Sequence, residues 1–163
     1  MRSRTLITAA LTALLAAGCG WNPPAGNPPP SAAACAPGDA PAADVVTAEL
    51  ARIPAPAGGG QWHESARGQT GGCRLNWVQV ASDNAAPDSP GQLLFFDRAT
   101  PIGTPTPEPR PYIAVVGSTA DTVTVQYQWK QGDDQPCCPT GIGTARFGIE
   151  GGALTALDPV PGP

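Results

Sequence analysis

The stretch "TVTVQYQWK", residues 122–130, alternates polar and apolar side chains without a break. Successive side chains on an extended chain point to opposite faces, so Val123, Val125, Tyr127 and Trp129 share one face. Thr122, Thr124, Gln126 and Gln128 share the other. A helix would scatter both sets around its axis. This period of two marks a strand with one face on a core and one in water, as is common in antiparallel sheets. "CRLNWVQVA" (73–81) repeats the pattern, with Leu75 and Trp77 on one face and Val78 and Val80 on the other. "QLLFFD" (92–97) and "YIAVVG" (112–117) are apolar runs of strand length. "GTARFGIE" (143–150) and "ALTAL" (153–157) flank "EGG" (150–152), a hairpin signal.

Strands that follow one another without helical patterns between them imply antiparallel pairing. One helix is expected, in "DAPAADVVTAELARIPAP" (39–56). Asp39 can cap it, Pro41 suits a first turn, and Asp44 favours the positive end of the helix dipole. Val46, Leu50 and Ile53 share a face, and Pro54 stops the run. So short a helix must pack on something. The expected fold is α+β: one N-terminal helix on an antiparallel sheet of five or six strands.

Ahead of this lies a leader. Arg2 and Arg4 precede fourteen uncharged residues, Thr5 to Gly18. As a helix these rise only about 21 Å, against a hydrocarbon core of about 30 Å. A basic start, a short apolar core and small residues before a cut site describe an export signal. Ala16, Ala17 and Gly18 followed by Cys19 resemble a bacterial lipobox, although a larger aliphatic is usual where Ala16 stands. The resemblance implies cleavage before Cys19 and a diacylglyceryl thioether on its sulfur. An ordinary secretory signal with a chance cysteine is the plainer alternative. Two or more acyl chains anchor stably where one binds reversibly. Residues 20–38 are mostly Pro, Gly, Ala and Asn with no apolar period, a tether reaching up to roughly 60 Å. The expected organisation is a signal over 1–18, a tether over 19–41, one domain over 42–158 and a tail over 159–163.

After residue 18 the chain has seven Lys and Arg against thirteen Asp and Glu, a charge of −6. One lysine and no basic stripe argue against nucleic-acid binding. The polybasic patch that grips anionic lipid is absent too, so membrane attachment falls to Cys19.

Candidate chemistry is sparse. His63, in "QWHESARG", is the one histidine. A hydrolytic triad would need it as base beside Ser65, Ser82 or Ser118, and none of these sits in a Gly-x-Ser-x-Gly elbow. A lone histidine in a Gly-flanked loop is more often simply solvated, so no catalytic residue is assigned and no enzyme is expected. One histidine with disulfide-prone cysteines argues against zinc. Asp121, Asp133 and Asp134 could gather a calcium ion, but acidic turns between strands look the same without one. No phosphate loop appears, and neither metal nor cofactor is expected. "FFDRATPIGTPTPEPRPY" (95–112) carries five prolines that pre-set an extended backbone. It reads either as a stiff connector or as a rigid surface for a partner, with Pro101, Ile102, Gly103, Thr104 and Pro105 at its centre.

Taken together, "CRLNWVQV", "QLLFFDRATPIGTPTPEPRPYI", "DTVTVQYQW" and "CCPTGIGTARF" resemble, in order and spacing, the LppP/LprE family of actinobacterial lipoproteins. The resemblance spans the helix through residue 158 and includes the lipobox. It implies an anchored lipoprotein of the mycobacterial-type cell envelope and brings no catalytic residues to carry over. The expected role is a binding or accessory module at the membrane surface, with an envelope protein or lipid as partner. An envelope hydrolase using His63 is one alternative. The other is a carrier of lipid or small molecules, which would need a cavity of several hundred Å³ between helix and sheet.

With Cys19 lipidated, Cys35, Cys73, Cys137 and Cys138 remain, an even number that reads as a disulfide framework. If the strands form a plain meander, Cys73 and the Cys137–Cys138 pair lie at one end of the sheet. Cys35 and Cys73 would then each bond one of Cys137 and Cys138. The other pattern is Cys35–Cys73 with a vicinal Cys137–Cys138 bridge, and an additional strand within 101–108 would favour it.

Overall fold

The computed structural model describes residues 35–83 and 86–162. The expected signal, Cys19 and the first part of the tether lie outside the described residues. A 3-10 turn (Pro37–Asp39) and helix α1 (Ala43–Leu50) lead into eight strands: β1 (Trp62–Gln69), β2 (Leu75–Ser82), β3 (Gly91–Asp97), β4 (Thr100–Gly103), β5 (Ile113–Ser118), β6 (Val123–Trp129), β7 (Gly141–Glu150) and β8 (Ala153–Ala156). They form two antiparallel four-stranded sheets, ordered β1-β2-β3-β4 and β5-β6-β7-β8. The expected single sheet of five or six strands is therefore corrected to two sheets, and the molecule is mostly β with one short helix.

The sequence of "QLLFFD" requires this. Leu93, Leu94, Phe95 and Phe96 are all buried, although neighbours on a strand point to opposite faces. Leu93 and Phe95, with Leu75 from β2, meet Ile113, Val123, Val125, Tyr127, Ala145 and Phe147 of the second sheet. Leu94 and Phe96, with Val78 and Val80, meet Val46 of α1, with Leu50 and Ile53 packed beside them. The first sheet is thus the middle layer of three. Burying each such side chain contributes roughly 1.5–3 kcal/mol, so neither cover is dispensable.

β1 and β4 are the strands the hydrophobic pattern does not show. Six of the eight β1 residues are exposed, and the strand carries a bulge between Glu64 and Ala66. β4 contains Pro101, tolerable because an edge strand leaves one row of amides unpaired. The β7–β8 hairpin is as expected: Gly151 and Gly152 have φ of 59° and 85°, the positive pair that a two-residue turn of matching twist needs.

α1 begins at Ala43 with Ala42 as its cap residue, not Asp39. The Asp39 carboxylate instead accepts from the Ala36 amide and closes the 3-10 turn. Buried Asn76 fastens that turn to the sheet, its amide donating to the Asp39 carbonyl at 2.7 Å. Buried Gln92 holds the proline-rich segment, donating to the Thr106 carbonyl at 3.0 Å.

The disulfides are Cys35–Cys73, with Cα atoms 5.4 Å apart, and the vicinal Cys137–Cys138. The expectation that Cys35 and Cys73 pair with Cys137 and Cys138 is overturned, and the added strand β4 is part of the reason. Gly71 and Gly72, beside Cys73, donate to Thr119 and Ala120 in the β5–β6 turn. Cys137 and Cys138 lie in the β6–β7 loop, at the far end of β6 and about 23 Å away at strand rise.

Cys35–Cys73 closes a separation of 38 residues, which the chain-entropy model values at about 4 kcal/mol. The vicinal bridge closes almost no loop. Urea unfolding of Cys35→Ala/Cys73→Ala should therefore show a loss approaching that size, with little loss in Cys137→Ala/Cys138→Ala. Equal losses would contradict this division.

Candidate functional site

The residues singled out in the sequence do not converge. His63 stands exposed on edge strand β1 and makes no side-chain hydrogen bond among the described residues. The Ser65 hydroxyl donates to the Gln79 carbonyl at 3.1 Å, away from any histidine relay. His63 is registered opposite Ala81 and Trp62 opposite Ser82, so His63 and Ser82 face opposite sides of the sheet. Ser118 ends β5 in the other sheet. Asp121 and the Asp133–Asp134 pair lie beyond opposite ends of β6, too far apart for one ion. Asp134 organises its own loop. It accepts from the Gln131 amide, the Thr140 amide and the Thr140 hydroxyl, each at 2.8 Å, and these bonds hold its carboxyl below the usual range. Pro101, Ile102 and Gly103 belong to β4, Ile102 packs on the shared core, and Thr104 and Pro105 are half-buried at the strand's exit. The segment is therefore stitched into the sheet edge rather than held out as a free loop.

The space between α1 and its sheet is filled by Val46, Val78, Val80, Leu94 and Phe96. At the end of the helix a cleft of about 190 Å³ remains, bordered by Ile53, Phe96 and Pro101. A broader depression of about 540 Å³ beside Leu50, Ile53 and Trp62 lies open on the surface. Neither is an enclosed carrier cavity.

Another cleft, of about 380 Å³, lies where β6 ends in the second sheet, lined by Asp88, Arg110, Tyr112, Gln128, Trp129 and Lys130. Strand pairing assembles it from segments far apart in sequence. The Gln128 amide donates to the Tyr112 carbonyl at 3.2 Å, and Gly91 and Arg110 exchange two backbone bonds of 2.9 Å. Trp129 ends the inward row of β6 and is only half-buried. It lies over Gly141, its register partner, where an added Cβ would stand 2.5 Å from the indole. Tyr112 has φ of 56°, a conformation costly for a bulky residue and found disproportionately at functional sites. Its hydroxyl donates to the Pro136 carbonyl at 2.5 Å, tying the cleft to the loop of the vicinal disulfide. Desolvation and then the nearby Asp88 charge push the Tyr112 hydroxyl's pKa up.

Arg110 is placed from two sides. Its guanidinium carbon stands 5.5 Å from the centroid of the Tyr127 ring, and its Nη1 donates to the Pro161 carbonyl at 2.9 Å. Burial pushes the Tyr127 hydroxyl up to about 12, with Arg110 opposing the shift. Pro161 is in turn held by a clamp at the start of the C-terminal segment. Arg146 donates through Nε and Nη2 to the Asp158 carboxylate at 2.8 and 2.9 Å, and through its amide at 3.0 Å. These bonds hold Asp158 at about 2. Sequence reasoning missed the site. The available signal was an inward-facing Trp at a strand's end followed directly by the chain's one lysine.

The chain matches the LppP/LprE lipoprotein family over residues 67–152. It is 49% identical over 152 residues to proteins named lipoprotein LppP in Mycobacterium bovis and in the H37Rv and CDC 1551 strains of Mycobacterium tuberculosis. The aligned region covers 93% of this chain and 86% of theirs. No solved structure matches it.

The clamp gives a pH prediction. A folded pKa near 2, below the ordinary aspartate value of 3.8, stabilises the fold above the unfolded value, and that contribution is lost as pH falls towards 2. Asp158→Asn should therefore flatten the fall in urea midpoint between about pH 4 and pH 2. A slope identical to that of the parent protein would show that the clamp carries no linkage.

Proposed function

This chain belongs to the LppP/LprE lipoprotein family, and on that footing we propose that it is a non-enzymatic binding or accessory module. Acyl chains on Cys19 hold it at the extracytoplasmic face of the cell membrane, and its ligand or partner enters the cleft of Arg110, Tyr112, Trp129 and Lys130. The observation that carries the reading is the cleft itself. Its volume of about 380 Å³ falls in the range of small-molecule sites, and it joins a half-buried indole to a residue of strained backbone. The hydrolase alternative draws less support, because His63 sits on an exposed edge strand away from Ser82 and Ser118. The carrier alternative draws less because apolar side chains occupy the helix–sheet interface.

Cys19→Ser should move the protein from the membrane fraction to the soluble fraction of disrupted cells. Sedimentation with membranes at the parent level would defeat the anchor. For the cleft, NMR spectra of the full chain in detergent should be recorded with fractionated envelope extract. Binding should shift the Trp129 indole and Tyr112 resonances and spare those of β1. Shifts confined to surfaces away from the cleft would overturn it as the binding site.

A further inference from the structure

Cations are scarce in this chain, and their partners are unevenly shared. Of the seven Lys and Arg after residue 18, four have close carboxylate partners and a fifth lies within 4 Å of two carboxylates. Arg52 meets Glu49, Arg67 meets Glu64, Arg74 meets Asp97, Arg146 meets Asp158, and Arg98 lies between Asp39 and Asp97. The remaining two line the same cleft. Lys130 reaches Asp88 only at 3.9 Å, with both side chains over two-fifths exposed. Arg110 has no carboxylate partner among the described residues, and its one hydrogen bond goes to the Pro161 carbonyl. A guanidinium offers five N–H donors in a planar fork that matches carboxylate and phosphate, and the Pro161 carbonyl takes one of the Arg110 donors. In a chain whose residues after 18 carry a charge of −6, the two least neutralised cations therefore face one concave site.

The rest of the lining narrows the ligand further. The Trp129 indole offers an apolar platform, and Asp88 offers a polar group at the rim. Asp88 can only accept hydrogen bonds when ionised, so a bare anion would meet it as a like charge. A ring bearing hydroxyls satisfies Asp88 and still stacks on the indole. We propose that the cleft binds an acidic sugar, a hydroxylated ring carrying a carboxylate or a phosphate. The anion lies between Arg110 and Lys130, the ring on Trp129, and the hydroxyls on Asp88. This rests on the cleft being the binding site, and it names the class of ligand.

The test is a titration of the full chain in detergent with D-glucuronate, D-glucose 6-phosphate, D-glucose and inorganic phosphate, followed by the Trp129 indole NMR resonance. Glucuronate or glucose 6-phosphate should shift it saturably, with glucose and phosphate about tenfold weaker or more. The two acidic sugars distinguish a carboxylate from a phosphate. Arg110→Gln should lose about tenfold or more in affinity, and Arg98→Gln should lose none. Should Arg110→Gln fail to fold, Lys130→Gln tests the same anion contact. Glucose binding as tightly as glucuronate and glucose 6-phosphate would overturn the anion, and phosphate binding as tightly would overturn the sugar. Both outcomes leave the cleft itself standing. No shift with any of the four would overturn the ligand class, and saturable shifts only outside the cleft would overturn the ligand and the site together.

Discussion

Leu93, Leu94, Phe95 and Phe96 lie consecutively on β3, and a strand cannot turn four neighbouring side chains to one side. Both faces of that strand must therefore be covered. A single sheet with one helix covers only one of them. The second sheet covers Leu93 and Phe95, and α1 with residues 45–53 covers Leu94 and Phe96. The rest follows from this need. Cys35–Cys73 and the Asn76 amide fix the chain ahead of α1 so that the helix can lie on the outer face. Bonds at both ends join the sheets, from Gly71 and Gly72 to the β5–β6 turn and from Gly91 to Arg110.

The site is a by-product of how the second of these joints is made. The Gly91–Arg110 bridge brings residues 110–112 to the point where β6 ends, and there Trp129 and Lys130 leave the packed core. Arg110 is then braced by the Tyr127 ring below and by Pro161, which the Arg146–Asp158 clamp carries across β7. A core aromatic and a surface ion pair thus serve one half-buried guanidinium. The same end of the sheet holds the vicinal disulfide, linked through the bond from Tyr112 to Pro136.

Much of this was legible in the residues, and the failures have physical causes. Alternation located β2 and β6, the double glycine located the β7–β8 turn, and the spacing of Val46, Leu50 and Ile53 located the helix. β1 hid because an edge strand in water keeps polar residues such as His63, Glu64, Ser65 and Arg67 on both faces. β4 hid because Pro101 argues against a strand wherever the sheet position is unknown. Missing both led to one sheet, and missing β4 led to a wrong parity of strand ends and to the wrong cysteine partners. The continuous run 93–96 was the available correction, since a sheet with one wet face does not carry it. The cleft was not legible because Arg110 and Trp129 meet only through the register of β5 on β6. The family resemblance, by contrast, was carried by the order of the motifs and is matched at 49% identity.

Hydrogen–deuterium exchange of the backbone amides under native conditions tests the three-layer account most directly. If β3 is covered on both faces, the amides of Leu93 to Phe96 and their partners on β2 exchange only through global unfolding and are the slowest in the protein. The amides of edge strand β1 exchange faster, through local opening. Amides of β3 exchanging as fast as those of β1 would contradict the account, because one face of the strand would then be open to water.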